Sequence, residues 1–544
     1  MIQKRFKILI APALLVMLTW GCTKKLDLIP TNDITSETVY STPEGYKQSL
    51  AKVYGAMALT GNAGPAGSRD IPSQIISDEG QSDFLRMFWY LQCLSTDEAG
   101  WTYSGNTDPI GIHQMSWSSV NQTVAGLYYR SFFLLTLAND FINQASDENL
   151  ARRNITGAEA DNIRRYKSEV RFLRAFQYWV LMDLFANPPF VTDKDAIGVG
   201  IPKQIKRADL FNYIESELKA IESELVAPKS NEYGRADQAA AWALLSRMYL
   251  NAEVYTGTPK YTECITYSNK IINAGYSLHP VYKQLMLADN HLNTNEFIFT
   301  INYDGSNTQN WGGTTMLAHG PSVNTSDASI DNQFIDSTGV KSWGCIRITQ
   351  QFVDMFDAND IRGQFWTRGQ SKNMTQLLGV TTDGYSSTKF RNKTRTGGPA
   401  PNRTPQVSTQ DIRADIDFPL FRLAEVYLNY AEAVARGGQG GSSATALTYL
   451  RQLAVRARPN DPNASNVPQM TLPYLIQERG RELMWECIRR TDLIRFNQFT
   501  TGSYLWAWKG GVAGGTSVDA KYNIFPIPST DLSANPNLVQ NPGY

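Results

Sequence analysis

Three widely separated stretches of this chain place large flat rings beside Gly, Asn and Arg, in sequence without helical periodicity. The first holds Trp101, Tyr103 and Asn106, set behind Asp97-Glu98 and downstream of Arg86. The second is Asn310-Trp311-Gly312-Gly313, and the third is Trp343-Gly344-Cys345. Rings in loops are harder to explain by core packing than rings on helices. They imply a surface that stacks against something flat, neutral and weakly apolar. A sugar ring fits, because its C–H patches gain dispersion and quadrupole attraction from an aromatic face. The other tryptophans read differently: Trp89, Trp117, Trp506 and Trp508 as packing residues, and Trp101 as a wedge within its own loop.

A catalytic reading must use the same neighbourhood. Asp78-Glu79 and Asp97-Glu98 are paired acids, and glycoside hydrolysis needs two carboxylates at a defined separation. Adjacent residues in a loop or strand point apart, so Asp97-Glu98 reads as a loop-ordering element. The chain has no phosphate loop, no dinucleotide Gly fingerprint, no Gly-x-Ser-x-Gly and no His-Glu-x-x-His. A binding protein without catalysis or cofactor is therefore expected, with a glycoside hydrolase and a non-binding helical-repeat scaffold as the competing classes. Lys+Arg and Asp+Glu both number 51. This balance argues against nucleic acid, which calls for a basic excess to displace counterions, and suits an uncharged ligand.

The N-terminus reads as an export signal. Lys4, Arg5 and Lys7 precede an apolar run over 8–20, too short to span a bilayer comfortably. Leu18-Thr19-Trp20-Gly21-Cys22 resembles a bacterial lipobox, which makes Cys22 the lipidation site, residues 1–21 a signal peptide and 22–40 a lipidated tether. The remaining Cys93, Cys264, Cys345 and Cys487 sit in apolar or aromatic contexts and read as buried free thiols. None has the close Cys/His spacing of a zinc site.

What must position the rings is helical. Apolar residues recur at a 3.6-residue period over 166–184, an amphipathic helix is expected over 211–225, and a third block covers 420–436 and 444–456. Within them a small residue precedes a tyrosine by three: Ala175 and Tyr178, Ser246 and Tyr249, Ala424 and Tyr427. Trp242-x-x-Leu245 and Leu420-x-x-Leu423 extend two of these strings. This is the pattern of the first helix of a tetratricopeptide unit, where a small residue admits the paired helix. The expectation is a mainly α protein with degenerate helix pairs as a scaffold, mainly 41–60, 120–290 and 414–500. A loop-rich ligand-binding region, mainly 61–119 and 300–413, packs on it, and an extended tail over 520–544 lies along the body. Loops this long inside a compact chain are functional or carry irregular structure of their own.

Several strings carry a resemblance to a known family. Phe421-Arg422-Leu423-Ala424-Glu425-Val426-Tyr427-Leu428, Arg481-Glu482-Leu483-Met484-Trp485-Glu486, Arg490-Thr491-Asp492-Leu493-Ile494-Arg495-Phe496 and Asn523-Ile524-Phe525-Pro526-Ile527-Pro528 together make the mature chain resemble the SusD family, outer-membrane glycan-binding lipoproteins of Bacteroidetes. Asp78-Glu79-Gly80-Gln81-Ser82, Ser116-Trp117-Ser118 and Leu505-Trp506-Ala507-Trp508-Lys509 look most like its starch-binding member. The resemblance implies a single SusD-like domain over 41–544, anchored in the outer membrane through lipid on Cys22 and facing outward. It implies a neutral α-1,4-glucan ligand and a SusC-type TonB-dependent transporter as partner. Carried over by position, Tyr103, Trp311 and Trp343 form an aromatic arc, and Arg86 and Asn106 are its hydrogen-bonding pair. Position 103 has tyrosine where tryptophan is usual, and 311 has tryptophan where tyrosine is usual; the stretch between Trp311 and Trp343 is also longer. A β-glucan is the alternative ligand.

Overall fold

The computed structural model describes residues 36–62, 69–195, 200–324, 326–402, 408–409, 411–467 and 470–544. The export signal and Cys22 lie outside these residues. The period read over 166–184 sits inside a 29-residue helix. That helix, α2 (Gly157–Phe185), packs against α1 (Gln122–Gln144) on one side and α3 (Arg207–Ile221) on the other. Next, α4 (Gln238–Leu250) packs on α5 (Tyr261–Ile272), α5 on α6 (Leu423–Ala435), and α6 on both α7 (Ser443–Ala457) and α8 (Leu472–Leu483). The protein is thus mainly helical. Its helices start where the sequence offers caps: Asn121, Asp237 and Ser442 each accept a backbone N–H in the first turn of α1, α4 and α7.

The small-residue pattern has a physical role in this stack. Ser246 on α4 lies 2.9 Å, oxygen to oxygen, from Ser268 on α5, and Asn429 of α6 donates to Ser246 at 3.4 Å. Three helices meet there because no large side chain intervenes. Tyr427 of α6 stacks on Tyr449 of α7 at 4.3 Å and 10°, filling the next gap.

Three local expectations shift. α3 both begins and ends about a turn earlier than the 211–225 expected. Leu420 is not helical, because Phe418–Arg422 is a strand and α6 begins at Leu423. That strand pairs antiparallel with Phe297–Ile301, from Phe297↔Arg422 to Ile301↔Phe418. Thirdly, the region 61–119 is less loop-like than its composition suggests. It contains a helix, Phe84–Trp89, that runs on into a wider turn over Tyr90–Leu94, and a second helix, Thr107–His113. Every residue from Phe84 to Leu94 is buried except Arg86, which is half-buried. A helix covered on all sides has no polar face, so no period marks it.

Beneath the helices lies a buried ion network that includes Arg422, Glu482, Glu486, Asp492 and Arg495 of the family strings. Arg422 donates to Glu296, Glu482 and Glu486; Arg456 to Glu296 and Glu482; Arg362 to Asp360, Glu478 and Glu482. Arg495 and Arg479 share Glu432 and Asp492. Burial alone would raise these carboxyls, but the facing guanidinium groups hold Glu482, Glu486, Glu478, Glu432 and Asp492 below their ordinary values. The tail packs on the body and carries short helical turns. Phe525 and Ile527 are fully buried, and the Phe525 N–H donates to the Leu184 carbonyl at 2.8 Å. Cys93, Cys264 and Cys487 are buried and Cys345 half-buried, all as free thiols.

Candidate carbohydrate-binding site

The three ring-bearing stretches meet, and short polar residues bring them together. Asp83 caps the helix Phe84–Trp89 by accepting from the Arg86 N–H at 2.7 Å, and the same oxygen accepts from the Gly313 N–H at 2.9 Å. One buried carboxylate thereby ties the start of the Arg86 helix to the Trp311 loop; burial pushes its pKa up. A Cβ on Gly312 would come 2.2 Å from the Asp83 side chain, so only glycine permits this approach. Asn310 braces the turn: its oxygen accepts from Gly312 at 2.7 Å and its amide donates to the Ala58 carbonyl. Arg86 then reaches across, with Nε donating to the Tyr90 hydroxyl at 3.1 Å and Nη1 lying 3.5 Å from the Trp311 carbonyl. It forms no ion pair among the described residues, and its other guanidinium N–H groups have no protein acceptor there. Burial works against its charge, yet Tyr90 and Asp78 outweigh that and its pKa sits above the usual arginine value.

Tyr103 and Trp343 are joined by a two-residue ribbon. Gly100–Trp101 pairs antiparallel with Ile346–Arg347, and beyond it Thr102 N–H donates to the Cys345 carbonyl at 2.9 Å. Tyr103 and Trp343 are the next residues along their respective strands past that rung and the Gly344 turn. Trp101 is 3% exposed and donates to the Tyr103 carbonyl at 2.7 Å, whereas Tyr103 is 52% exposed with its ring folded over Gly105. Trp101 is thus a wedge and Tyr103 an outward ring. Asn106 caps the helix Thr107–His113 by accepting from Asp108 N–H at 3.2 Å. The cap occupies one lone pair of the Asn106 oxygen, and its amide N–H₂ has no protein acceptor among the described residues.

Trp311 and Trp343, both half-buried, stand with ring centroids 6.0 Å apart and planes at 53°. Tyr103 is a neighbour by backbone, but among the described residues its ring pairs with no other aromatic. Two residues went unread in the sequence. The Arg413 guanidinium lies 3.3 Å from the Trp311 ring centroid, and the His319 imidazole stacks on Trp343 at 4.6 Å and 17°. Burial lowers the pKa of both, that of His319 to about 4, so this imidazole is neutral at neutral pH. Burial likewise pushes the Cys345 thiol up to about 11, which leaves it protonated and unreactive. The only advance signal for His319 was its position at the end of the helix Gly313–His319, six residues past the double glycine.

The paired acids are occupied elsewhere. Asp97 accepts two hydrogen bonds from Arg489, at 2.9 and 2.7 Å, and one from Tyr504. Glu98, pushed up to about 8 by burial, accepts from the Trp485 backbone. Asp78 caps a turn at Gly80, and Glu79 accepts from Thr60. Each orders the chain around the rings.

Comparison with known proteins identifies the family. A family model described as the SusD family matches residues 295–544. The starch-binding protein SusD of Bacteroides thetaiotaomicron is 34% identical, over 99% of each chain. SusD-like protein P2 of Formosa agariphila is 23% identical, over 80% of this chain and 83% of that one. Among solved structures, surface glycan-binding protein A from Bacteroides fluxus superposes with a TM-score of 0.67 at 21% identity, covering 92% of this chain and 100% of that one. Surface glycan-binding protein A from Bacteroides thetaiotaomicron in complex with laminarihexaose superposes at 0.65 and 19%, covering 92% and 99%. These structural likenesses speak to the fold. On the full-length identity to its starch-binding relative, this chain belongs to the SusD family, as a carbohydrate-binding protein and not an enzyme.

Proposed function

We propose that the protein captures starch and maltooligosaccharides at the cell surface by stacking α-1,4-glucan on Tyr103, Trp311 and Trp343, with Arg86 and the Asn106 amide donating to sugar hydroxyls. The observation that carries this reading is the opening between Trp311 and Trp343, two half-buried rings 6.0 Å apart and tilted by 53°. Tilted planes follow a coiled chain. Arg86 and Asn106 supply donors of the kind that paired hydroxyls accept. At roughly 1 kcal/mol per ring beyond area burial, the dissociation constant falls in the roughly μM-to-mM range, and many copies on one cell raise the avidity. The 34% identity to a starch-binding protein supports the choice of glucan.

The same reading places the protein on the outer membrane through lipid on Cys22, facing outward, with a SusC-type TonB-dependent transporter as partner and the helical body as the docking side. The family resemblance supports this, and no described helix is long and apolar enough to cross a membrane. A second reading keeps the site and changes the ligand: a laminarin-binding SusD-like protein shares the fold at 18% identity and a TM-score of 0.65, so the fold by itself does not choose between α- and β-glucan. The test is a starch gel with parallel titrations of maltoheptaose and laminarihexaose. Retardation without shortened products, and tighter binding of maltoheptaose, is the expected result. Cleavage would overturn the binder, and preference for laminarihexaose would move the protein to the second reading. In Trp311→Ala, maltoheptaose affinity should fall several-fold; unchanged affinity would remove that ring from the site.

A further inference from the structure

Each tryptophan of the pair has one face covered from inside the protein, by side chains that belong to a single connected unit. Arg413 is 9% exposed, with its guanidinium carbon 3.3 Å from the Trp311 ring centroid; His319 is fully buried and nearly parallel to Trp343. The rings themselves are half-buried, so each keeps part of its surface open to solvent. His319 also lies between the loops that carry the rings, and as a neutral imidazole it donates its single N–H to one of two flanking carbonyls. Its Nε2 lies 2.8 Å from the carbonyl of Ile412, the residue before Arg413. Its Nδ1 lies 2.7 Å from the carbonyl of Lys341, two residues before Trp343. The His319 carbonyl accepts the Trp343 N–H at 2.7 Å.

Space filling alone does not explain the arginine. Its Nη1 donates to the Asp411 carbonyl at 2.6 Å, while its buried Nε has no partner among the described residues. A leucine would occupy the volume without leaving a donor unpaired. What the guanidinium adds is a rigid plane, and a plane fixes the tilt of the ring stacked on it.

We propose that His319 and Arg413 are positioning residues that hold Trp311 and Trp343 at their 53° opening, and that this opening makes the site prefer a coiled glucan over an extended one. The inference rests on the reading that these rings bind glycan. Two ring faces set at an angle both meet a curved chain, whereas a flat ribbon meets one of them at a time. Removing either covering group lets the rings relax, so selectivity falls more than affinity.

The experiment compares three probes by calorimetric titration: linear maltoheptaose, the cyclic seven-residue α-1,4-glucan, whose curvature is locked, and the extended β-1,4-linked cellohexaose. The purified protein is tested as wild type, Arg413→Met, His319→Asn and Trp311→Ala, with thermal unfolding measured for each. Wild type should bind the cyclic glucan best. Arg413→Met should reduce the cyclic-to-cellohexaose preference at least fivefold while lowering linear maltoheptaose affinity less, and His319→Asn should do the same if it folds. Equal losses for all three probes in Arg413→Met, or no change in preference, would overturn the positioning role while Trp311→Ala still weakens binding. If Trp311→Ala binds every probe as wild type does, the glycan reading of the rings falls, and this inference with it.

Discussion

In the proposed site, Asn106 would divide its work between fold and ligand. Its oxygen caps the helix Thr107–His113, and its amide is the donor available to a sugar. Asn106→Asp keeps an acceptor at the cap and removes the amide donor. Thermal stability should therefore hold while maltoheptaose affinity falls by up to about tenfold, the worth of one hydrogen bond of roughly 0.5–1.5 kcal/mol. Equal affinity in a calorimetric titration would remove Asn106 from the site. Tyr103 offers the complementary test, being 52% exposed. Tyr103→Ala should leave the melting temperature within about a degree, since exposed substitutions usually cost under about 0.5 kcal/mol, and should weaken binding by about fivefold through loss of one stacking face.

At the scale of elements, what converges the rings is a handful of short polar links: the Asp83 cap, the Gly100–Trp101 ribbon with Ile346–Arg347, and the Asn310 brace. Gly312→Ala probes the first. Its Cβ would meet Asp83 at 2.2 Å, and overpacking of this kind costs about 1–3 kcal/mol. Either the Trp311 loop or the Arg86 helix must move. Thermal melting should drop, and maltoheptaose affinity should drop with it, because Arg86 and Trp311, both proposed ligand groups, hang on the same carboxylate. A variant that melts lower yet binds normally would show that the Asp83 link serves the fold alone. Asp83 itself was legible as a cap three residues before Arg86. Its second bond, to a glycine 230 positions away, was not.

At the scale of the whole molecule, a buried network of charges runs through the apolar core. Arg422→Ala should destabilise by about 3–5 kcal/mol, since Glu296, Glu482 and Glu486 would lose a shared partner; denaturant unfolding measures it. The same network sets the acid limb of stability. Glu482, Glu486, Glu478, Glu432 and Asp492 are held below ordinary values, so the unfolded chain binds more protons there. Their contribution is complete above the unfolded glutamate value of 4.5 and is lost as pH falls through the folded values. Glu98 and Asp417 act oppositely: burial pushes them up to about 8 and about 7, and stability declines as pH rises toward those values. The unfolding free energy should peak on the acid side of neutrality, and Arg422→Ala should flatten its fall below pH 4.5. A profile that rises monotonically through pH 8 would contradict the assignment of Glu98 and Asp417.

Local patterns alone determined the helix pairs, through the 3.6-residue period around α2 and the small residues at Ser246 and Ala424, because a helix writes its buried face into adjacent turns. They also made rings and glycines in aperiodic stretches stand out by type, while the choice of Trp311, Trp343, Tyr103, Arg86 and Asn106 among them came from the family resemblance. Tertiary structure decided the rest. The strand over Phe418–Arg422, the tilt between two rings from distant loops, and the stacking of Arg413 and His319 behind them all arise from contacts between residues far apart in the chain. Nothing at short range distinguishes a buried arginine that backs a tryptophan from one that closes an ion pair. That distinction exists only once the loops have met.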